Sequence, residues 1–186
     1  MIAVLDACVL YPPALRDLLM WLAVVKAYEP RWSEGIHSEW MRNVLADRTD
    51  ITLDQLERTR RLMDAIDPRS LVSGYEVHIP ALKLPDENDR HVLAAAIQAG
   101  ASVIVTYNLS DFPHEALSLH GVRALHPDGF LVSLMRHESS RFIRAMQSHR
   151  ASLRNPPKSE DEYLATLRCL RLTSTARRLE NRRSAT

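Results

Sequence analysis

Residues 85–112 read Pro-Asp-Glu-Asn-Asp-Arg-His-Val-Leu-Ala-Ala-Ala-Ile-Gln-Ala-Gly-Ala-Ser-Val-Ile-Val-Thr-Tyr-Asn-Leu-Ser-Asp-Phe, and this stretch decides the fold. Apolar residues recur at helical spacing over 92–97, and Gly100 is placed to end that helix. Residues 103–105, Val-Ile-Val, form a short apolar run that is typical of a buried parallel strand. The stretch therefore predicts a helix that leads into a strand of a parallel sheet.

Acidic residues lie at both ends of this predicted unit. Asp86, Glu87 and Asp89 precede the helix, where carboxylates suit the helix dipole, and Asp111 follows the strand. When the unit folds back on itself, the start of the helix and the end of the strand approach the same edge of the sheet. In α/β folds this edge usually carries the chemistry.

The chain before this stretch supplies a further strand and several helices. Residues 2–5 are a four-residue apolar strand that ends at Asp6. A helix is predicted over about 14–28, and residues 30–32 are interpreted as a connector. Ser33 has the character of an N-cap for a helix that runs to about residue 48, with Glu39 beside its apolar stripe.

The remaining elements complete an alternating pattern. Thr52-x-x-Gln55 is a capping box that opens another helix. Residues 71–72 and 76–79 are weak strand candidates, and 122–125 is predicted as the last strand. A long helix is predicted from Pro127 to about residue 149. Alternation of this kind predicts a three-layer α/β fold in which helices flank a central, mostly parallel sheet.

The charge distribution supports a division into a domain over residues 1–135 and a helical C-terminal extension over 136–186. The first part carries 12 basic and 18 acidic side chains, a net −6, and the second carries 12 and 5, a net +7. Within the extension, residues 155–158 are the clearest boundary, Ser159-x-x-Glu162 is a capping box, and a last helix is predicted from Thr173. A basic appendage beside an acidic body suits contact with a polyanion or a partner, although a solvated helical face has the same composition.

Composition predicts a soluble, cytoplasmic protein. The hydrophobic and charged fractions, 46% and 25%, are ordinary for a globular chain of 186 residues. The longest apolar run, residues 18–25, is far short of the ~20 residues that span a membrane, and the N-terminus lacks the basic region of a signal peptide. The two cysteines, Cys8 and Cys169, form no metal or disulfide framework. The eight histidines show no metal-binding spacing and are interpreted as surface or local structure.

Four carboxylates are candidates for chemistry: Asp6, Glu39, Asp89 and Asp111. Each has a structural explanation on its own, namely a capped turn for Asp6 and Asp111, a solvated charge for Glu39 and a dipole contact for Asp89. Together, at the carboxyl edge of a parallel sheet, they offer the oxygen ligands that Mg²⁺ or Mn²⁺ needs. Such a site activates water and neutralises a phosphate oxygen.

Other classes of active site are disfavoured. The five glycines form neither a Rossmann nor a P-loop spacing, and no serine lies in a nucleophile elbow. A phosphatase of the haloacid-dehalogenase type would start with Asp-x-Asp, but Cys8 stands where the second aspartate belongs.

Several short motifs, in this order, resemble a PIN domain over about residues 1–135. The motifs are Val-Leu-Asp6-Ala-Cys-Val-Leu, then Glu39, then Asp89-x-x-Val-Leu-Ala-Ala-Ala, then Val-Ile-Val-Thr106-Tyr-Asn108-Leu-Ser-Asp111-Phe112. The chain is most similar to the VapC-type toxins of bacterial toxin–antitoxin pairs. The basic helical segment after residue 136 resembles the C-terminal extension of one subgroup, as do the runs Leu-Tyr-Pro-Pro-Ala-Leu-Arg-Asp and Arg-Trp-Ser.

The resemblance implies an endoribonuclease that uses Mg²⁺ or Mn²⁺, acts on RNA, pairs with an antitoxin protein and is often a homodimer. It places Asp6, Glu39 and Asp89 at the three main acidic positions of the family, as catalytic and metal-binding residues. The fourth acid usually follows the threonine by two residues. Asn108 stands there, and Asp111 is the alternative because a Thr-x-Asn-x-x-Asp variant occurs in the family.

Two departures from the family pattern leave a second reading open. Position 8, often Asn or Ser in PIN domains, is Cys8, and position 108 is not an acid. A degenerate PIN domain that binds RNA or protein without cutting is therefore the alternative function. In either case Thr106 and Asn108 are expected to support the site. The expected substrate or partner contacts in the extension are Arg177, Arg178, Arg182 and Arg183.

Overall fold

The computed structural model describes residues 1–154 and 156–183, and its centre is a parallel sheet of five strands. In chain order the strands are β1 (Ile2–Leu5), β2 (Glu29–Ser33), β3 (Leu71–Val72), β4 (Val103–Val105) and β5 (Arg123–Leu125). Their spatial order is β3-β2-β1-β4-β5, and every pairing is parallel. The predicted α/β fold with a parallel sheet is confirmed.

Helices cover this sheet and build the rest of the described chain. They are α1 (Ala7–Leu10), α2 (Pro13–Val24), α3 (Glu34–Asp47), α4 (Leu53–Asp64), α5 (Arg90–Gln98), α6 (His114–Ser118), α7 (Pro127–His137), α8 (Ser139–Ser152), α9 (Glu160–Cys169) and α10 (Thr173–Arg183). The N-caps predicted at Ser33, Thr52 and Ser159 form as expected, the last two as complete capping boxes. Helix α5 packs across β1, β2 and β4, and its alanines are buried there.

The connector predicted at residues 30–32 is wrong, because these residues belong to strand β2. Proline and arginine are unusual in a buried strand, yet Arg31 is only 4% exposed. Its guanidinium donates to the carbonyl of Pro30 and pairs with Glu29 at 3.1 Å, which satisfies the buried charge. The helix that was predicted over about 14–28 corresponds to α2, and it ends at Val24 rather than near residue 28.

Two other expectations also differ from the structure. The weak strand candidate at 76–79 lies in a 3₁₀ segment, Tyr75–Ala81, which Gly74 enters at a φ of +73° and which contains Pro80. The long helix predicted from Pro127 divides at Glu138, whose φ of −129° and ψ of 40° are not helical. Residues 127–152 therefore form two helices, and the division predicted after residue 135 falls inside the first of them. That division stays a prediction.

Helices α7 to α10 are held to the sheet domain by polar contacts as well as by packing. Asp128 on α7 accepts hydrogen bonds from the backbone N–H groups of Ser174 and Thr175, both at 2.8 Å, and from the Thr175 hydroxyl at 2.7 Å. Asp128 thereby caps the start of α10 from another helix. The Tyr107 hydroxyl donates to the Leu170 carbonyl at 2.8 Å. Asn155, the first residue of the boundary predicted at 155–158, lies outside the described residues. Residues 184–186 of the extension also lie outside them.

No helix in the part of the chain that the structure describes combines the length and the apolar character that crossing a membrane requires.

Candidate active site

The order of the strands creates a crevice at the carboxyl ends of β1 and β4. These strands are neighbours, with Leu5 opposite Val105, and the chain leaves them toward opposite sides of the sheet. Ligands of open α/β sheets bind at such a switch point. Asp6 directly follows β1 and Thr106 directly follows β4, so both side chains lie at this crevice.

Asp6 is buried and is held by two neutral donors. Its Oδ2 accepts a hydrogen bond from the Thr106 hydroxyl at 2.7 Å and another from the Cys8 thiol at 3.1 Å. It makes no side-chain capping hydrogen bond to α1, so the simple structural explanation for this residue does not apply. Burial raises the pKa of Asp6, the two hydrogen bonds oppose that rise, and the charge of Glu39 adds to it. Glu39 therefore acts electrostatically on Asp6.

Asp89 lies among the other carboxylates of the site. Burial is the largest cause that raises its pKa, the charges of Asp6, Asp86, Asp111 and Glu39 follow in that order, and together they bring it to about 6. Asp89 ends a 3₁₀ turn, Glu87–Asp89, directly before α5, and it makes no capping hydrogen bond. The other three predicted acids therefore all lie near enough to Asp89 for their charges to affect its pKa.

The two acids that competed with Asp89 in the sequence have other partners. Asp86 accepts a hydrogen bond from the backbone N–H of Asn88 at 2.8 Å and so caps the 3₁₀ turn. Glu87 pairs with Arg90 at 2.9 Å, and its side chain is 78% exposed. Of the three acids before α5, only Asp89 is half-buried. Its carboxylate has no hydrogen-bond partner among the described residues.

Glu39 has a neighbour that sequence reasoning missed. Its Oε2 lies 3.4 Å from Nε2 of His91, in the first turn of α5. The other ring nitrogen of His91 is buried and has no hydrogen-bond partner in the described chain. A Cβ at Gly35 would lie 3.1 Å from that nitrogen, so the glycine makes room for the ring. The sequence did contain one signal for this residue: His91 follows Asp89 by two positions and lies in the first turn of the predicted helix.

The loop after β4 holds both candidates for the fourth acidic position. Thr106 Oγ1 accepts a hydrogen bond from the backbone N–H of Asn108 at 2.9 Å while its own proton goes to Asp6. The Asn108 side chain is exposed, whereas Asp111 is half-buried and acts on the pKa of Asp89. Asp111 is thus near enough to Asp89 to act on it electrostatically, and which of the two residues fills the fourth position stays a prediction.

Cys8 takes part in the same hydrogen-bond network. Its thiol donates to Asp6, lies 3.4 Å from the Thr106 hydroxyl and accepts from the backbone N–H of Tyr107 at 3.2 Å. Burial first, and the charge of Asp6 second, raise the pKa of this thiol to about 12. Cys8 is therefore a neutral hydrogen-bond donor to the carboxylate.

The donor set suits a hard divalent cation, but the ligands do not form a closed cage. Carboxylate oxygens are the ligands that Mg²⁺ and Mn²⁺ prefer, and burial first, with neighbouring carboxylates second, raises the pKa values of Asp6 and Asp89. Within residues 1–154 and 156–183, no three His, Cys, Asp or Glu side chains stand together in metal-binding geometry. Mutual repulsion of carboxylates is a sufficient physical reason for such spacing.

A second concavity lies away from these acids. It is an apolar groove of about 710 Å³ between α2, α4 and α8, and its lining includes Met20, Trp21 and Leu62. None of the four acids lines it. This groove is therefore separate from the predicted acidic site.

The four arginines predicted as contacts lie on α10 and are all exposed. Arg182 donates to the Ser139 hydroxyl at 3.0 Å, and Arg183 pairs with Asp161 at 2.6 Å. For Arg177 and Arg178, the described residues show no hydrogen bond from the guanidinium and no ion pair. These two arginines are the ones available to an outside partner.

Comparison with known proteins gives two family matches. Residues 3–110 match the family model described as PIN domain, and residues 127–181 match the model described as VapC50 C-terminal domain. The curated protein "Putative ribonuclease VapC50" of Mycobacterium tuberculosis (strain ATCC 25618 / H37Rv) is 59% identical over 44 residues. That match covers 24% of this chain and 26% of the relative. No solved structure is similar to this chain at a significant level.

Proposed function

The chain belongs to the PIN-domain family, and on that basis we propose that it is a metal-dependent endoribonuclease, the toxin of a VapC-type toxin–antitoxin pair. The observation that carries the proposal is the gathering of Asp6, Glu39, Asp89 and Asp111 around one crevice at the β1/β4 switch point. Its substrate is RNA, and its partner is the cognate antitoxin.

Each side chain has a defined part in this proposal. Asp6, Glu39, Asp89 and Asp111 would hold Mg²⁺ or Mn²⁺, which supplies an activated water and charge neutralisation at a phosphate oxygen. Thr106 and Cys8 orient the Asp6 carboxylate by donating hydrogen bonds to the same oxygen. His91 stands beside Glu39 in the position of an outer-shell partner.

The non-cutting alternative has less support than the sequence alone gave it. Cys8 was one reason to consider a degenerate site, yet its thiol donates to Asp6, as the hydroxyl of a serine would. Asn108 was the other reason, and Asp111 lies close enough to act on Asp89 in its place. Both departures from the family pattern are thus compatible with an intact acidic site.

The proposal is tested with purified protein and RNA in Mg²⁺, in Mn²⁺ and in excess EDTA. We expect the wild type to cut in either metal and to stop in EDTA. Glu39→Gln and Asp111→Asn should each lose cleavage, while Asn108→Ala should retain it. Binding of RNA without cleavage in either metal would support the non-cutting alternative instead. Neutralisation by the product of a neighbouring antitoxin gene tests the partner.

A further inference from the structure

The turn between α9 and α10 lies beside the acidic crevice. Its Leu170 carbonyl accepts the hydrogen bond from the Tyr107 hydroxyl at 2.8 Å, and Tyr107 directly follows Thr106. At the other end of the turn, Asp128 fixes the first residues of α10. A segment of the basic extension is therefore anchored one residue away from the site threonine.

A small cleft of about 260 Å³ separates this turn from the sheet domain. The sheet side contributes Cys8 and Tyr107, each next to or near a site residue, together with Pro12. The turn contributes Cys169, Leu170 and Arg171. Cys8 also donates to Asp6, so the cleft borders the acidic crevice.

Arg171 occupies a backbone position that favours glycine. Its φ is +58°, and its N–H closes the end of α9 by donating to the Arg168 carbonyl at 2.9 Å. Glycine is the usual residue at such a helix end because it has no Cβ to crowd the backbone. Lys26, just after α2, has a similar φ of +56°, so this conformation by itself does not assign a function to Arg171.

The guanidinium of Arg171 is exposed and makes no ion pair or hydrogen bond within the described residues. Its charge acts on the two aromatic groups beside it. Burial raises the pKa of Tyr107 to about 12 and Arg171 opposes that rise, while burial lowers the pKa of His126 and Arg171 adds to that fall. The neighbouring Arg168, at the end of α9, is instead paired with Glu180.

We propose that Arg171 and this cleft bind the phosphate that adjoins the scissile phosphate of single-stranded RNA. The proposal rests on the ribonuclease function proposed above. An unpaired guanidinium presents a planar fork of donors that matches a phosphate. Arg171 would then hold the strand in register, so that the neighbouring phosphate meets the carboxylates.

The first test measures how tightly the wild type, Arg171→Gln and Arg144→Gln bind a short fluorescein-labelled single-stranded RNA. Binding is measured in Ca²⁺, and a gel verifies that the RNA stays intact. Arg144 is an exposed arginine on α8 and serves as the matched control. We expect Arg171→Gln to weaken binding about tenfold, as the loss of one charge-assisted contact predicts. The slope of log Kd against log salt concentration should fall by about 0.7, and the control should change neither quantity.

Arg171→Gly separates binding from folding. Glycine suits the φ of +58°, so this variant should melt no lower than the wild type, yet it should lose RNA affinity like the glutamine variant. A folding role for the arginine would instead lower the melting temperature of Arg171→Gln and leave the affinity of Arg171→Gly intact.

Alkylation of Cys169 provides an independent readout. Cys169 is exposed and lines the cleft, whereas Cys8 has a raised pKa and reacts slowly with iodoacetamide. Bound RNA should slow the alkylation of Cys169 in the wild type and not in Arg171→Gln.

Equal RNA affinity in the wild type and both Arg171 variants, with Cys169 unprotected, would overturn the inference and leave the proposed function standing. If the wild type neither bound nor cut RNA, the proposed function and this inference would fail together.

Discussion

The hydroxyl of Thr106 donates a hydrogen bond of 2.7 Å to Oδ2 of Asp6, which joins two residues that lie 100 positions apart in the chain. The bond links the ends of the adjacent strands β1 and β4 at the switch point of the sheet. Both residues are buried, and Thr106 also accepts the N–H of Asn108. One hydroxyl thus fixes the first predicted metal ligand and the loop that carries the last one.

Replacement of this hydroxyl should therefore affect both stability and the site. Thr106→Val keeps the shape of the side chain but removes one of the two hydrogen bonds to the Asp6 carboxylate and the acceptor of the Asn108 N–H. We expect a loss of about 1–3 kcal/mol in the free energy of unfolding, measured by urea denaturation, and weaker Mn²⁺ binding by calorimetry. Thr106→Ser keeps the hydroxyl and should retain Mn²⁺ affinity. A valine variant with wild-type Mn²⁺ affinity would contradict this role.

The apo protein should become less stable as pH rises from about 4 to about 6. The pKa of Asp89 is about 6 in the folded protein and close to 3.9 in the unfolded chain, so the folded state binds more protons over this interval. The raised pKa of Asp6 acts in the same direction. Melting temperatures in EDTA should fall across the interval and recover when Mn²⁺ is added near pH 7.

Asp89→Asn should flatten this pH dependence and raise the melting temperature at pH 7, because one of the repelling charges is gone. Asp54→Asn, which changes an exposed acid in the first turn of α4, is the control and should leave the pH profile as in the wild type. A wild-type profile in Asp89→Asn would show that Asp89 does not titrate in the repulsive field described above.

Helix α10 should depend on Asp128 for its order. Hydrogen bonds from Thr175 and Ser174 outweigh the desolvation of this carboxyl and hold its pKa below the usual range. Asp128→Ala removes these bonds, and the loss of a cap costs about 0.5–2 kcal/mol. Amide exchange in α10 should speed up while that of β1 and β4 stays unchanged. Asp161→Ala breaks only an exposed ion pair and should have little effect.

The two unpaired arginines of α10 should contribute to RNA affinity. Replacement of Arg177 and Arg178 by Gln is expected to weaken binding of single-stranded RNA. It should also reduce the salt slope by up to about 1.4, which is about 0.7 for each contact. The matched control replaces Arg58 and Arg61, exposed arginines of α4. An unchanged slope in the α10 variant would assign this surface to scaffolding or to a protein partner. Arg182 and Arg183 stay predicted contacts, but their replacement would also break contacts to Ser139 and Asp161.

Sequence periodicity was sufficient for the central stretch, because helix α5 and strand β4 are encoded by local patterns. It failed for β2, where a proline and an arginine disguise a buried strand that is stabilised by pairing with β1 and β3. The 3₁₀ segment at Tyr75–Ala81 was mistaken for a strand because its apolar residues gave no decisive period.

The site also combines features that local sequence patterns indicate with features that depend on contacts between distant residues. The four acids were proposed from their places in the sequence: Asp6 and Asp111 follow strands, Glu39 lies on a helix and Asp89 precedes one, and their role stays a prediction. The roles of His91 and Arg171 were not predictable, since they arise from contacts with residues distant in the chain: Glu39 for the first and Tyr107 for the second. Cys8 was read as a departure from the family pattern, and only its contact with Asp6 identifies it as a donor.

The most direct test of the account is the rate of RNA cleavage as a function of Mn²⁺ concentration for the wild type and Asp6→Asn, measured side by side in single turnover. The asparagine keeps the shape of the side chain but removes the charge that a divalent cation needs. We expect a wild-type rate that rises with Mn²⁺ and saturates, and a variant that melts like the wild type but shows no cleavage at any Mn²⁺ concentration. Cleavage by Asp6→Asn at the wild-type rate, or a wild-type rate that does not depend on Mn²⁺, would contradict the account.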